Sequence, residues 1–219
     1  MKADQAGRGK GSALARNLIF RYVGDPGEDE MINQTLEVVN EQSVSVVPVL
    51  RFRALGKDRE PLPRVKVTTV YGSDKGRLVL PSGSGYDILR FSGPGAQDVA
   101  DVEVTVERVE IAEKEAGATP VTTQALDAEG GEVSRFGRFA KVRLTNDNSA
   151  PVWVRVAYVV WDQPADGDTQ QAVEVTPVGG LTMIPPRLSF VVDVDPRAAA
   201  AIARNANGPA VSIKAYNSQ

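Results

Sequence analysis

The sequence predicts an all-β chain made of two tandem β-sandwich domains. Three observations carry that expectation: a length of 219 residues, which suits two domains that each bury their own core; short β-branched runs separated by turn residues; and an internal repeat of about 105 residues, a period that fits whole domains rather than solenoid units. The composition, 42% hydrophobic and 24% charged, is that of an ordinary globular protein rather than a disordered one.

Residues 1–16 are rich in Gly and Ala and carry Lys2, Arg8, Lys10 and Arg16 against Asp4 alone. Too little apolar surface is present to order such a segment, so it reads as a flexible basic arm that a neighbouring subunit would pin. The first strands follow, with Leu18, Phe20 and Tyr22 alternating before the acidic turn from Asp25 to Glu30.

The repeat then becomes visible. Leu36-Glu-Val-Val-Asn40 precedes a long strand at 44–54, as Val142-Arg-Leu-Thr-Asn146 precedes one at 152–161. Gly76-Arg-Leu-Val-Leu-Pro81 leads into 86–91, as Gly180-Leu-Thr-Met-Ile-Pro185 leads into 187–192. Each half closes on a strand, at 102–111 and at 210–216. Domains are therefore expected at 17–111 and 121–219, joined by a short linker over 112–120, where polar and breaker residues collect.

In the second long strand the pleat puts Val152, Val154, Val156, Tyr158 and Val160 on one face and Trp153, Arg155, Ala157, Val159 and Trp161 on the other. Both faces carry apolar bulk, so this strand is central or is covered on its second face. In the first half, Val44, Val46, Leu50 and Phe52 share a face opposite Ser45, Arg51 and Arg53. The one good helix signal is 195–204, with Asp195 as N-cap, Pro196 at N1 and Gly208 soon after its end. It makes a short connecting helix in the second sandwich.

The chain has no cysteine and no histidine. Disulfides, thiolate nucleophiles, Ser-His-Asp and Cys-His catalysis and most transition-metal sites are thereby excluded, leaving only carboxylate, Lys, Tyr or Ser-Lys chemistry. The net charge of −3 gives no overall attraction for nucleic acid or acidic membranes. No run approaches the roughly 18 apolar residues of a membrane span, and the N-terminus lacks an apolar signal core. The expectation is no membrane insertion, with a virion or a cell surface the favoured location.

The acidic turn at 25–30 and the loop at Asp162–Asp168 offer oxygen ligands without the spacing of a calcium loop, and both read as solvated turns. Asp193 and Asp195 could be imagined as a carboxylate pair, but Asp195 is explained as a cap and Asp193 as a solvent-facing charge. No catalytic residue, metal or cofactor is expected. Trp153, Arg155 and Trp161 form a candidate interface, since aromatic and Arg side chains on one face suit a stacked sugar ring or a protein hot spot; packing in the core or against the other domain is the commoner fate of such residues.

The strings VRLTNDNSAPVWVRVAYVVWD and VTPVGGLTMIPPRLSFVVDV resemble the immunoglobulin-like domains of bacterial surface proteins and pilus-assembly chaperones, and LEVVNEQSVSVVPVLRF through LVLPSGSGYDILRF is similar in outline. The resemblance implies an immunoglobulin-like sandwich in each half. A chaperone would also need a basic anchoring pair in its cleft, which the sequence does not assign.

Two functions follow as expectations. The first is a non-enzymatic structural subunit of a large assembly, such as a virion shell, decoration layer or surface filament, whose partners are other subunits in a homo- or hetero-oligomer. The second is an extracytoplasmic binding, adaptor or chaperone-like module whose strand edges accept a partner strand.

Overall fold

The computed structural model describes residues 7–8, 12–24, 34–163 and 170–219. The fold is all-β, with antiparallel sheets and little helix. The chain divides into two compact units, one built on residues up to Glu113 and the other on Lys114–Gln163 and Ala172–Gln219. Among the described residues no helix is long and apolar enough to cross a membrane.

Unit 1 contains β1 (Gly7–Arg8), α1 (Ala13–Arg16), β2 (Leu18–Val23), β3 (Thr35–Asn40), β4 (Val46–Leu55), β5 (Lys66–Thr69), β6 (Gly83–Ser92) and β7 (Asp101–Ile111). One sheet runs β1-β2-β3-β6-β5, and β4 and β7 form a second sheet of two, with Val46 of β4 also bridged to Leu80. Alternation sets the faces. In β3, Leu36, Val38 and Asn40 are buried while Thr35, Glu37 and Val39 are half-buried, so the inward row of a period-2 strand enters the core with Leu18, Phe20, Val46, Leu50, Leu80 and Ile88.

Unit 2 contains β8 (Thr122–Leu126), β9 (Lys141–Thr145), β10 (Val152–Trp161), β11 (Ala172–Ile184), β12 (Ser189–Asp193), α2 (Pro196–Asn205) and β13 (Val211–Asn217). Its sheets run β12-β9-β8 and β11-β10-β13. The row Val152, Val154, Val156, Tyr158 and Val160 lies in the core with Val142, Leu144, Ile184 and Ile213. Helix α2 starts where expected: Asp195 Oδ1 accepts from the backbone N–H groups of Arg197 and Ala198 at 2.9 and 3.0 Å, and Ala198, Ala201 and Ile202 are its buried side.

The repeat has a structural centre. In unit 1 the buried Asn40 donates through Nδ2 to the carbonyls of Val44, Leu80 and Pro81, while its Oδ1 accepts from the backbone N–H and the side-chain amide of Gln42. In unit 2 the buried Asn146 donates to the carbonyls of Ala150, Ile184 and Pro185, and its Oδ1 accepts from the backbone N–H and side-chain amide of Asn148. Each asparagine ties the end of one strand to the turn after it and to the Leu-Pro or Ile-Pro step of the opposite sheet. Only an amide, with two donor hydrogens and an acceptor, can do both.

Two local expectations gain detail. Residues 12–16 were expected in a flexible arm. They form instead a turn of helix in which Ser12 Oγ accepts from Ala15 N–H at 3.3 Å and Ala15 is buried, because a Ser N-cap before Ala and Leu favours helix whatever the glycines upstream prefer. Gly7 and Arg8 pair with Phe20 and Ile19 of β2. The expected linker is also held by unit 2: Asn148 exchanges hydrogen bonds with the Thr119 backbone at 2.8 Å in both directions, and Asn217 Nδ2 donates to the Gly117 carbonyl. Gly179 and Gly180 lie within the long strand β11, at a register shift between Val154 and Val156 of β10. Gly179 takes a φ of 65°, and a Cβ there would come within 2.6 Å of Val192 Cγ1, so glycine permits both the bulge and the approach.

Candidate interaction surfaces

Among the described residues, strand β7 pairs with β4 along one side only. The register fixes which backbone groups face outward. Ala112 N–H donates to the Ser45 carbonyl and Leu62 N–H to the Ala54 carbonyl, and Pro48, which has no N–H, sits opposite Val109. By the alternation of an antiparallel ladder, the N–H and C=O groups of Val104, Val106 and Val109 then point away from β4. Helix α1 and strand β2 lie near β7 without forming a ladder with it.

The side chains of these valines face inward yet remain half-buried, whereas Val102 is buried. β7 ends its two-stranded sheet, so among the described residues no third strand flanks these side chains. The opposite face of β4 and β7 is a ladder of ion pairs: Arg51–Glu107 at 2.6 Å, Arg53–Glu103 at 3.0 Å and Arg108–Glu110 at 3.2 Å. The hydrogen bond from Arg51 holds the Glu107 carboxyl below its ordinary value. These groups are solvent-exposed, so the ladder adds little stability. It does keep that face polar.

The residues expected at an interface on β10 have separate fates. Trp161 is 3% exposed and donates its indole N–H to Ser212 Oγ at 2.7 Å, which makes it a packed residue rather than an open hot spot. Trp153 is half-buried, with Lys114 Nζ 4.1 Å from its ring centroid, a cation–π contact. Arg155 Nε donates to Ser218 Oγ at 3.1 Å. The three side chains share a strand face but do not converge on one point.

Of the basic residues expected to anchor an assembly arm, Arg16 is exposed in the last turn of α1. Lys2 and Lys10 lie outside the described residues, as does the side chain of Arg8. The acidic turn at 25–30 lies outside them as well, together with most of the loop after Asp162. Among the described residues no three acidic side chains gather as a metal site would require. Asp193 faces Lys141 across the β12–β9 pair. Asp195 is held below the ordinary carboxyl range by the N–H groups of Ala198, Gly179 and Arg197.

Sequence reasoning missed Asp87. Its carboxylate is fully buried in β6 and accepts from Tyr71 N–H at 2.7 Å and Ser73 N–H at 2.9 Å, fastening the loop that precedes the 3-10 turn at Ser73–Lys75. Burial pushes its carboxyl up, against the pull of those N–H groups. A shallow depression of about 360 Å³ lies between β11 and α2. Within it Arg204 pairs with Glu174 at 2.5 Å, and Arg197 lines it as well.

No family model matches the chain, and no curated protein or solved structure matches it either.

Proposed function

We propose that this chain is a non-enzymatic structural protein that holds other proteins within a larger assembly, and that it does so by strand pairing. The observation that carries this reading is the outer edge of β7. Its outward N–H and C=O groups at Val104, Val106 and Val109 have no ladder partner among the described residues, and the inward valines are left half-buried. An added strand would satisfy those groups and cover those side chains in one step.

Each unit is proposed to be an immunoglobulin-like sandwich. The order β2-β3-β6-β5 facing the pair β4-β7 supports this in unit 1, and β12-β9-β8 with β11-β10-β13 supports it in unit 2. A shell, decoration or filament subunit keeps its partner permanently, whereas an adaptor or chaperone-like module releases it. The ordered turn at residues 13–16 takes some weight from the arm as the assembling element and moves it to the strand edge.

The test is to isolate the chain from its native cells or particles and compare it with Val104→Pro. Proline removes an outward N–H and obstructs a paired strand, but an edge position tolerates it. Wild type in a larger particle, with Val104→Pro released from it and melting within a few degrees of wild type, is the expected result. A wild-type chain that is monomeric as isolated, or a variant that stays in the particle, contradicts the reading.

A further inference from the structure

Strand β12 is the outermost strand of its sheet, and it carries an unusual amount of exposed apolar surface: Leu188 is 56% exposed, and Phe190 and Val191 are each 44% exposed. The register identifies its free backbone groups. Asn146 N–H donates to the Leu188 carbonyl and Val194 N–H to the Ala140 carbonyl, so the even-numbered residues bond to β9. The N–H and C=O groups of Ser189, Val191 and Asp193 therefore point away from the sheet. Natural edges are normally blunted by charge, proline or a bulge; across 188–194 the one such device is the charge of Asp193 at the end of the strand.

We infer that β12 pairs antiparallel with β12 of a second copy of this chain, around a two-fold axis at Val191. What selects a second copy is the self-complementarity of the strand in that register. Along the inward row Leu188 would meet Val194 of the other copy and Phe190 would meet Val192, so every pairing is apolar. On the outward row Val191 meets Val191 and Ser189 meets Asp193, so the two aspartates never face each other. Three-stranded sheets from two copies would join into one of six strands, and the half-exposed Phe190 and Leu188 would each gain a cover. An isologous contact of this kind closes on itself and yields a dimer rather than an open fibre. This inference concerns a different edge from β7 and does not rest on the function proposed for that edge.

The experiment uses the full chain in sedimentation equilibrium. Wild type is expected to be dimeric. Val191→Lys puts two like charges opposite each other and should weaken the dimer by at least about tenfold, as should Val191→Glu. An equimolar mixture of the two variants should recover a heterodimer, since the two-fold places residue 191 against residue 191. Val191→Thr, similar in shape and β-propensity, should stay dimeric. All four proteins should melt alike at low concentration, because Val191 lies on the outer face and its replacement opens no cavity. A wild-type chain that remains monomeric overturns the inference, as do a lysine variant as dimeric as wild type and a mixture that stays monomeric. A monomeric purified chain in this experiment removes the β12 contact alone; the β7 reading is judged separately, on the particle isolated from native cells and its Val104→Pro variant.

Discussion

The two units share a centre and differ at their margins. Both are built around an asparagine that joins three carbonyls, Asn40 in one and Asn146 in the other. They part in where the strand after the long central strand goes. In unit 1 that strand, β5, adds to β6, which leaves β4 and β7 as a sheet of two. In unit 2 it is β11, which adds to β10 and leaves β12, among the described residues, with no ladder partner on its outer side. A duplicated sequence keeps the buried hydrogen bonds that fix the fold, while the position of one strand decides which sheet is left with uncovered valine or phenylalanine.

The comparison can be broken first at the aromatics. Trp161→Ala in unit 2 removes a 3%-exposed side chain and its hydrogen bond to Ser212, and should cost about 3–5 kcal/mol. The half-buried Phe52 of unit 1 should cost about half as much when changed to alanine, since less of it is removed from water. Urea unfolding of each variant checks both values, and equal losses would mean that the two long strands are packed alike.

The shared centre comes next. Asn40→Ala and Asn146→Ala each strand buried carbonyls without a donor, at a cost of about 2–4 kcal/mol. The two losses should be of similar size if the hubs are equivalent. Aspartate at either position keeps an acceptor but loses the donors, so it should be no better than alanine in thermal melts near neutral pH.

Asp87 in unit 1 and Asp195 in unit 2 separate the units by pH. The Asp87 carboxyl is raised by burial above its ordinary 3.8. Its contribution is thus fully present below that value and is lost as pH rises through the raised one. The melting temperature of wild type relative to Asp87→Asn should therefore fall with rising pH from about 4 upward. Asp195 is shifted down, so its contribution is present above the ordinary carboxyl value and is lost as pH falls through the lowered one. Changing this cap to alanine should cost about 1 kcal/mol at neutral pH, the smallest effect of the series.

What could be read from the sequence was whatever depends on neighbours along the chain. Strand β10 was legible because ten consecutive residues are apolar or β-branched apart from Arg155, and α2 because Asp195, Pro196 and an alanine run mark its start. Asn40 and Asn146 stood out as markers of the repeat, but their role was hidden, since the carbonyls they join lie about 40 residues away. The open edge of β7 was hidden for a related reason. Alternation of Val104, Val106 and Val109 tells which face they take, not whether another strand lies beside them. Helix α1 was masked by the glycines and charges around a short Ser-Ala-Leu-Ala segment. Trp161 could be assigned to a face of β10, but nothing local distinguished a packed tryptophan from an exposed one.

Amide hydrogen exchange along β7 tests the central claim most directly. In the isolated chain, the amides of Val104, Val106 and Val109 should exchange quickly while those of Glu103, Thr105 and Glu110, directed at β4, exchange slowly; in the assembled protein the first group should become protected as well. Equal and slow exchange of both groups in the isolated chain would mean that the edge of β7 is already occupied, and would contradict the claim that it is where a partner strand is held.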